Sequence, residues 1–126
     1  ILEIGSGSGY VLALISYIIK KGKIYGIEII KSLAESSKQL LKKDKKIKIF
    51  NRDGSTGLVE KAPFDGILIS AAASKTPNNL LKQLKDDGIL VSPVNNSIFQ
   101  IKKNRDKIEI KEFPGFVFVP LKRENF

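Results

Sequence analysis

Apolar residues run along this chain in short blocks separated by polar or glycine-rich breaks, and the blocks alternate in kind. Residues 1–4 form a brief apolar strand broken only by Glu3, and Gly5-Ser6-Gly7-Ser8-Gly9 follows as a tight loop. Residues 10–20 read as a buried helix stopped by Lys21-Gly22. A second strand, rich in Ile and Tyr, covers 23–28. Ser32-Leu33-Ala34-Glu35 matches a capping box that opens a helix ending near Lys43. Residues 46–50 alternate Lys and Ile as a third strand, 51–63 read as loop, and 64–70 form a fourth strand. Thr76-Pro77 places a cap and then Pro at the first helical position, with Leu80, Leu81 and Leu84 as the inner stripe. A fifth strand covers 88–94. From Ser97 the pattern becomes hairpin-like, with strands at 98–102, 107–111 and 116–121 and a turn at Asn104-Arg105-Asp106.

Strands alternating with helices predict an α/β fold, a mostly parallel, doubly wound sheet with antiparallel strands at its C-terminal edge. The 126 residues suit one domain, 1–126. In such sheets ligands lie at the carboxyl ends of the strands, where the strand order reverses. The loops after the first four strands are therefore where chemistry is expected.

Composition narrows that chemistry. There is no His and no Cys, which excludes disulfides, thiol nucleophiles, imidazole bases and metal sites built on those ligands. Lys and Arg total 22 against 13 acids, a net charge of +9, and 19 of the 22 are Lys. Such a balance suits a nucleic-acid partner, but a Lys-rich solvated surface explains it more simply, and no nucleic-acid partner is expected. Lys42, Lys43, Lys45 and Lys46 are expected to close a helix C-terminus, where cations meet the negative end of the dipole. No apolar stretch reaches the roughly 20 residues of a membrane span, and no signal peptide is visible. A cytoplasmic monomer is expected. The chain opens on Ile1, inside a strand, and contains no Met; a segment upstream is expected.

Three features carry the site. Gly5-Ser6-Gly7-Ser8-Gly9 stands between a strand and a helix, where glycines let backbone N–H groups approach a ligand. The dinucleotide pattern G-x-G-x-x-G/A fails at Tyr10, and no Gly-Lys-Ser/Thr follows for a P-loop. The G-x-G-x-G spacing suits S-adenosylmethionine, and Glu3 beside it would repel a pyrophosphate but tolerate a cationic amino acid. Glu28 ends the second strand, 19 residues after Gly9, where an acid can accept both hydroxyls of a ribose; the plainer alternative is a solvated Glu. Asp53 follows the third strand, where a carboxylate can accept from an adenine amine with Gly54 allowing close approach; the alternative is an Asx turn. After the fourth strand, Ser70-Ala71-Ala72-Ala73 offers small side chains that can leave backbone groups open to a substrate.

Taken together, these residues resemble the protein-L-isoaspartate (D-aspartate) O-methyltransferase family. The resemblance rests on Leu2-Glu3-Ile4-Gly5-Ser6-Gly7-Ser8-Gly9, Gly26-Ile27-Glu28, Asp53-Gly54 and Ala62-Pro63-Phe64-Asp65. It continues through Ala71-Ala72-Ala73, Leu80-Leu81-Lys82-Gln83-Leu84-Lys85 and Phe118-Val119-Pro120-Leu121. It implies a Rossmann-like methyltransferase fold with S-adenosyl-L-methionine as cofactor. The implied partners are isoaspartyl-containing proteins and peptides. The abnormal carboxylate of an L-isoaspartyl or D-aspartyl residue is methylated, and the ester closes to a succinimide whose hydrolysis returns some normal aspartate. The implied cofactor residues are Glu3, Gly5, Ser6, Gly7, Ser8, Gly9, Glu28, Ile29, Arg52, Asp53 and Gly54. Ala71, Ala72 and Val119 would line the acceptor pocket. The family's active-site Ser belongs to an upstream Thr-Ile-Ser motif not found in these 126 residues, so no catalytic residue is assigned. Arg52 replaces a usual Gly, where it would crowd the adenine or point outward. Asp86-Asp87-Gly88 replaces Pro-Gly-Gly, and Asn95 replaces a Gly.

The composition suits this reaction. A carboxylate acceptor, with a reference pKa of about 4, is already ionised at pH 7, and a sulfonium is an activated leaving group, so no general base is required. An RNA or small-molecule methyltransferase on the same fold is the alternative, favoured by the charge and disfavoured by the Ala run. A non-catalytic domain with a degenerate pocket is the third.

Overall fold

In the computed structural model, residues 1–72, 78–117 and 119 are described. Seven strands form one sheet: β1 (Leu2–Ile4), β2 (Ile24–Glu28), β3 (Ile47–Asn51), β4 (Phe64–Ile69), β5 (Leu84–Val94), β6 (Ser97–Asn104) and β7 (Lys107–Pro114). Their order is β3-β2-β1-β4-β5-β6-β7. The first five run parallel, and β6 and β7 add antiparallel at the C-terminal edge. The chain winds outward from β1 to β3, then crosses back to β4 on the other side of β1. The reversal lies between β1 and β4, the position at which α/β sheets open a ligand crevice.

Two apolar layers hold the helices on the sheet. Leu12 of α1 (Tyr10–Ile18) and Ala34 of α2 (Lys31–Leu41) pack with Ile24 and Ile49 on one face. On the other face Leu2, Ile4, Ile27, Phe64 and Ile67 pack with Leu58 and with Leu80 of α3 (Asn78–Leu81). Among the described residues no helix is long and apolar enough to cross a membrane.

Three expectations change in the structure. The capping box does not form: α2 begins at Lys31 with Ile30 as its cap residue and no side-chain cap, so Ser32 lies inside the helix. The cause is Glu28, whose Oε1 accepts the Ile30 N–H at 2.9 Å and turns the chain directly off β2. Lys46 of the Lys42–Lys46 cluster closes a helix C-terminus as expected, and the helix is α1. The Lys46 ammonium donates to the carbonyls of Ser16 and, at 3.1 Å, Ile19.

Leu84 does not extend the stripe of Leu80 and Leu81. It opens β5 four residues earlier than expected, opposite Phe64, and the proposed cap at Thr76-Pro77 lies outside the described residues. The turn after α3 is fixed by Gln83, which is buried. Its Oε1 accepts the Leu58 N–H and its Nε2 donates to the Thr56 carbonyl, both at 2.8 Å. A buried amide so used prevents two backbone orphans, so Gln83→Ala is expected to cost about 2 kcal/mol, read as a lowered urea midpoint. An unchanged midpoint would remove Gln83 as the organiser of that turn.

The expected strand at 116–121 is not seen at Phe116, Val117 or Val119, and the rest of it lies outside the described residues. Pro114 ends β7 without a donor, and Gly115, at φ 96°, turns the chain away. The hairpin turn is as expected: Asn104 pairs with Lys107 across Arg105-Asp106, with Arg105 at φ 51°.

Candidate cofactor and acceptor site

A cavity of about 550 Å³ opens at the carboxyl ends of β1, β2 and β4, within the size range of small-ligand sites. Gly5 and Gly7 form one wall, Ile27, Glu28, Ile29, Ile30 and Leu33 a second, and Ile4, Gly54, Ser70, Ala71 and Val119 the remainder. Among the described residues one acid, Glu28, and no basic side chain line it.

Glu28 is 5% exposed, not solvated. Oε2 accepts the Gly7 N–H at 2.7 Å and Oε1 the Ile30 N–H at 2.9 Å. The carboxylate thus pins the glycine loop and the start of α2 to the end of β2. Each oxygen keeps a lone pair for a further donor.

The glycine loop works differently from the expectation. Its N–H groups turn inward: Gly5 and Ser6 donate to the Ile27 carbonyl, Gly7 to Glu28, and Gly9 to the Ser6 carbonyl. What glycine contributes is space and a positive φ. Gly5 sits at φ 79°, with a built Cβ only 3.7 Å from that of Ala71. Gly9 caps α1 at φ 83°, and a Cβ there would come within 2.8 Å of Leu41 on α2. Gly9 therefore serves the packing of the loop, and neither it nor Ser8 lines the cavity.

Glu3 and Ser6 lie buried beneath the loop. Ser70 Oγ donates to Glu3 Oε1 at 2.6 Å, while Glu3 Oε2 and Ser6 Oγ have no partner. Burial above all, with the nearby Glu28 charge adding, pushes the Glu3 carboxyl up to about 7, against the pull of the Ser70 hydroxyl.

After β3 the residues divide. Gly54 faces the cavity, and a Cβ on it would come within 2.6 Å of Ile4. Asp53 Oδ1 accepts the Ser55 N–H at 2.7 Å, an Asx turn that shapes this loop. Arg52 points away from the cavity. Its guanidinium pairs with Glu60 at 2.8 Å, donates to the Gly57 carbonyl and lies over the Phe50 ring. The outward alternative therefore describes Arg52, and it leaves the adenine side uncrowded.

Ala71 and Val119 meet at the cavity wall. The Ala72 N–H is not open to a substrate, because it donates to the Val119 carbonyl at 2.8 Å. Sequence reasoning missed Ile4, Ile27, Ile30 and Leu33 as lining residues. Leu33 was absorbed into the supposed capping box. Ser70 was read with Ala71-Ala72-Ala73 as a run of small side chains, and its bond to Glu3 was not foreseen.

This geometry can be set beside known proteins. The family model for protein-L-isoaspartate(D-aspartate) O-methyltransferase matches residues 1–125. The chain belongs to that family. A protein-L-isoaspartate O-methyltransferase of Pyrobaculum islandicum is 41% identical to it over 130 aligned positions, which take in 97% of this chain and 63% of that protein. One from Pyrococcus abyssi is 40% identical, over 96% of this chain and 59% of that protein. The chain thus spans about 60% of the length of these curated relatives. A solved Plasmodium falciparum member, in complex with S-adenosyl-L-homocysteine, superposes with a TM-score of 0.81 at 26% identity. That match covers 98% of this chain and 65% of that one. A further solved protein-L-isoaspartate O-methyltransferase gives 0.89 at 24% identity, over 97% of this chain and 41% of that one, and shows the shared fold.

Proposed function

We propose that this chain is the cofactor-binding body of an S-adenosyl-L-methionine-dependent methyltransferase acting on the free side-chain carboxylate of L-isoaspartyl or D-aspartyl residues in damaged proteins. The observation that carries the reading is the buried Glu28 carboxylate, clamped by two backbone N–H groups at the rim of a cavity at the strand reversal. The family match across 1–125 supports it.

The residues present fit the cofactor. Glu28 is oriented to accept the ribose hydroxyls, Ile29, Ile30 and Leu33 give an apolar slot for a purine, and Gly54 keeps that slot open. Gly5 and Gly7 leave room for the methionine end, with Glu3, Ser6, Ser8 and Gly9 shaping the loop from below and behind. Asp53 holds the loop that presents Gly54. When bound, S-adenosyl-L-methionine supplies a methyl group on a sulfonium. Ala71 and Val119, with Ala72 fixing them together, form the wall against which an acceptor carboxylate would lie. An acceptor carboxylate held there would take the methyl group directly, with the sulfur as a neutral leaving group. The carboxylate carries no proton at pH 7, so the protein's task is alignment and exclusion of water, worth about 7–11 kcal/mol in favourable cases.

The test is incubation with methyl-labelled S-adenosyl-L-methionine and a matched pair of peptides. Base-labile label is expected on the isoaspartyl peptide and none on its aspartyl twin. Equal labelling of both would overturn the substrate assignment. Label on RNA and on neither peptide would favour the alternative methyltransferase reading.

A further inference from the structure

One layer beneath the cavity, β1 carries a buried carboxyl to which the scheme above gives only a shaping role. Glu3 is 1% exposed, and its register neighbours are Gly26 on β2 and Leu68 on β4. The absence of a side chain at Gly26 lets Ser6 and Leu12 pack closely into that layer: a Cβ there would stand 3.0 Å from Ser6 Oγ and 2.7 Å from Leu12. Ser6 belongs to the glycine loop, whereas Ser70 lines the cavity beside Ala71. The Glu3 side chain, in register with Gly26, therefore shares a sheet face with a hydroxyl of the cofactor loop and bonds a hydroxyl of the acceptor wall. Only the second is bonded to it, at 2.6 Å, and the other two oxygens, Glu3 Oε2 and Ser6 Oγ, are buried without partners. Native interiors rarely leave such groups idle.

We propose that Glu3 is a positioning residue that couples the two halves of the site: arrival of the cofactor's ammonium end in the glycine loop draws a proton from Glu3, and the resulting carboxylate holds Ser70, and with it the Ala71 wall, in place for the acceptor. This rests on reading the cavity as the cofactor site. The charged group that faces Glu3 is Glu28 at the end of β2, and its influence opposes ionisation. β2 and β4 otherwise present Gly26 and Leu68. The described α1 contains no charged side chain, and its two tyrosines, Tyr10 and Tyr17, face solvent. The Lys31–Glu35 pair of α2 is exposed. Among the described residues no cation acts on this carboxyl, so a cation in the loop would favour its ionised form. Because Glu3 holds its proton up to a pH of about 7, the exchange falls in the neutral range.

The experiment is calorimetric titration of the 126-residue chain with S-adenosyl-L-homocysteine at pH 6, 7 and 8, in buffers of different ionisation enthalpy. Binding is expected to release about one proton at pH 6 and almost none at pH 8, with affinity rising about tenfold between them. Glu3→Gln should release none and bind equally at both values. Ser70→Ala, which removes the hydroxyl that favours the carboxylate, should move the release to higher pH, and Ser70→Thr should restore it. Binding by the unaltered chain without proton release, or equal release by Glu3→Gln, would overturn the coupling and leave the cofactor reading standing. Absence of binding at every pH would overturn both.

Discussion

Replacing Glu28 by Ala is expected to weaken cofactor binding at least about 100-fold. The change removes the acceptor for two sugar hydroxyls, and it also leaves the Gly7 and Ile30 N–H groups without their partner. Hydrogen bonds to a charged group contribute about 1.5–3 kcal/mol each, and a stranded donor costs about 1–3 kcal/mol. Loss of both charged hydrogen bonds to the sugar is enough by itself to reach a hundredfold. Glu28→Gln should not rescue binding, because its amide would point a donor at one of the two N–H groups. Asp53→Ala loosens the loop carrying Gly54 and is expected to weaken binding about tenfold. Calorimetry with S-adenosyl-L-homocysteine reads all three, and unchanged affinity in both alanine variants would reject the pocket assignment.

The second large effect concerns stability. The Glu3 carboxyl is pushed up to about 7 from an ordinary value of 4.5, chiefly by burial. The folded chain therefore holds this proton more tightly than the unfolded chain. The favourable contribution is complete below pH 4.5 and is lost as pH rises through 7. Above pH 8 the full cost of the buried charge is present, about 3 kcal/mol. Glu3→Gln removes that titration, keeps an acceptor for Ser70 and offers a donor toward the unpartnered oxygens nearby. Urea unfolding at pH 8 should find the variant more stable by about 3 kcal/mol, with the two curves converging near pH 4. Parallel pH dependences would show that Glu3 does not titrate as its burial implies.

Both effects bear on what could be read from the residues alone. The first three strands were legible because each is a short run rich in Ile, Leu or Tyr that ends at Gly5, Glu28 or Asn51. Glu28 and the glycines were legible because a strand–glycine–helix unit fixes where the next strand must end. What failed were local rules overridden by tertiary partners. Ser32 and Glu35 satisfy a capping box, yet Glu28 takes the Ile30 N–H and starts the helix one residue before Ser32, which leaves no cap position for it. Leu84 continues a helical stripe, yet Gln83 and pairing with Phe64 place it in a strand. Arg52 stands where the family usually has Gly, and no periodicity could say that Glu60 would draw it outward. The bond from Ser70 to Glu3 was invisible because a Ser after a strand gains that meaning only once Glu3 is known to lie beside it.

The central claim is that adenosine lies across the ends of β1 and β2, with its ribose on Glu28 and its methionine end at Gly5 and Gly7. The most direct measurement is a crystal structure of this chain soaked with S-adenosyl-L-homocysteine. The account predicts both ribose oxygens within hydrogen-bond distance of the Glu28 carboxylate and the purine between Ile29, Leu33 and Gly54. Density elsewhere on the chain, or a ribose turned away from Glu28, would contradict it.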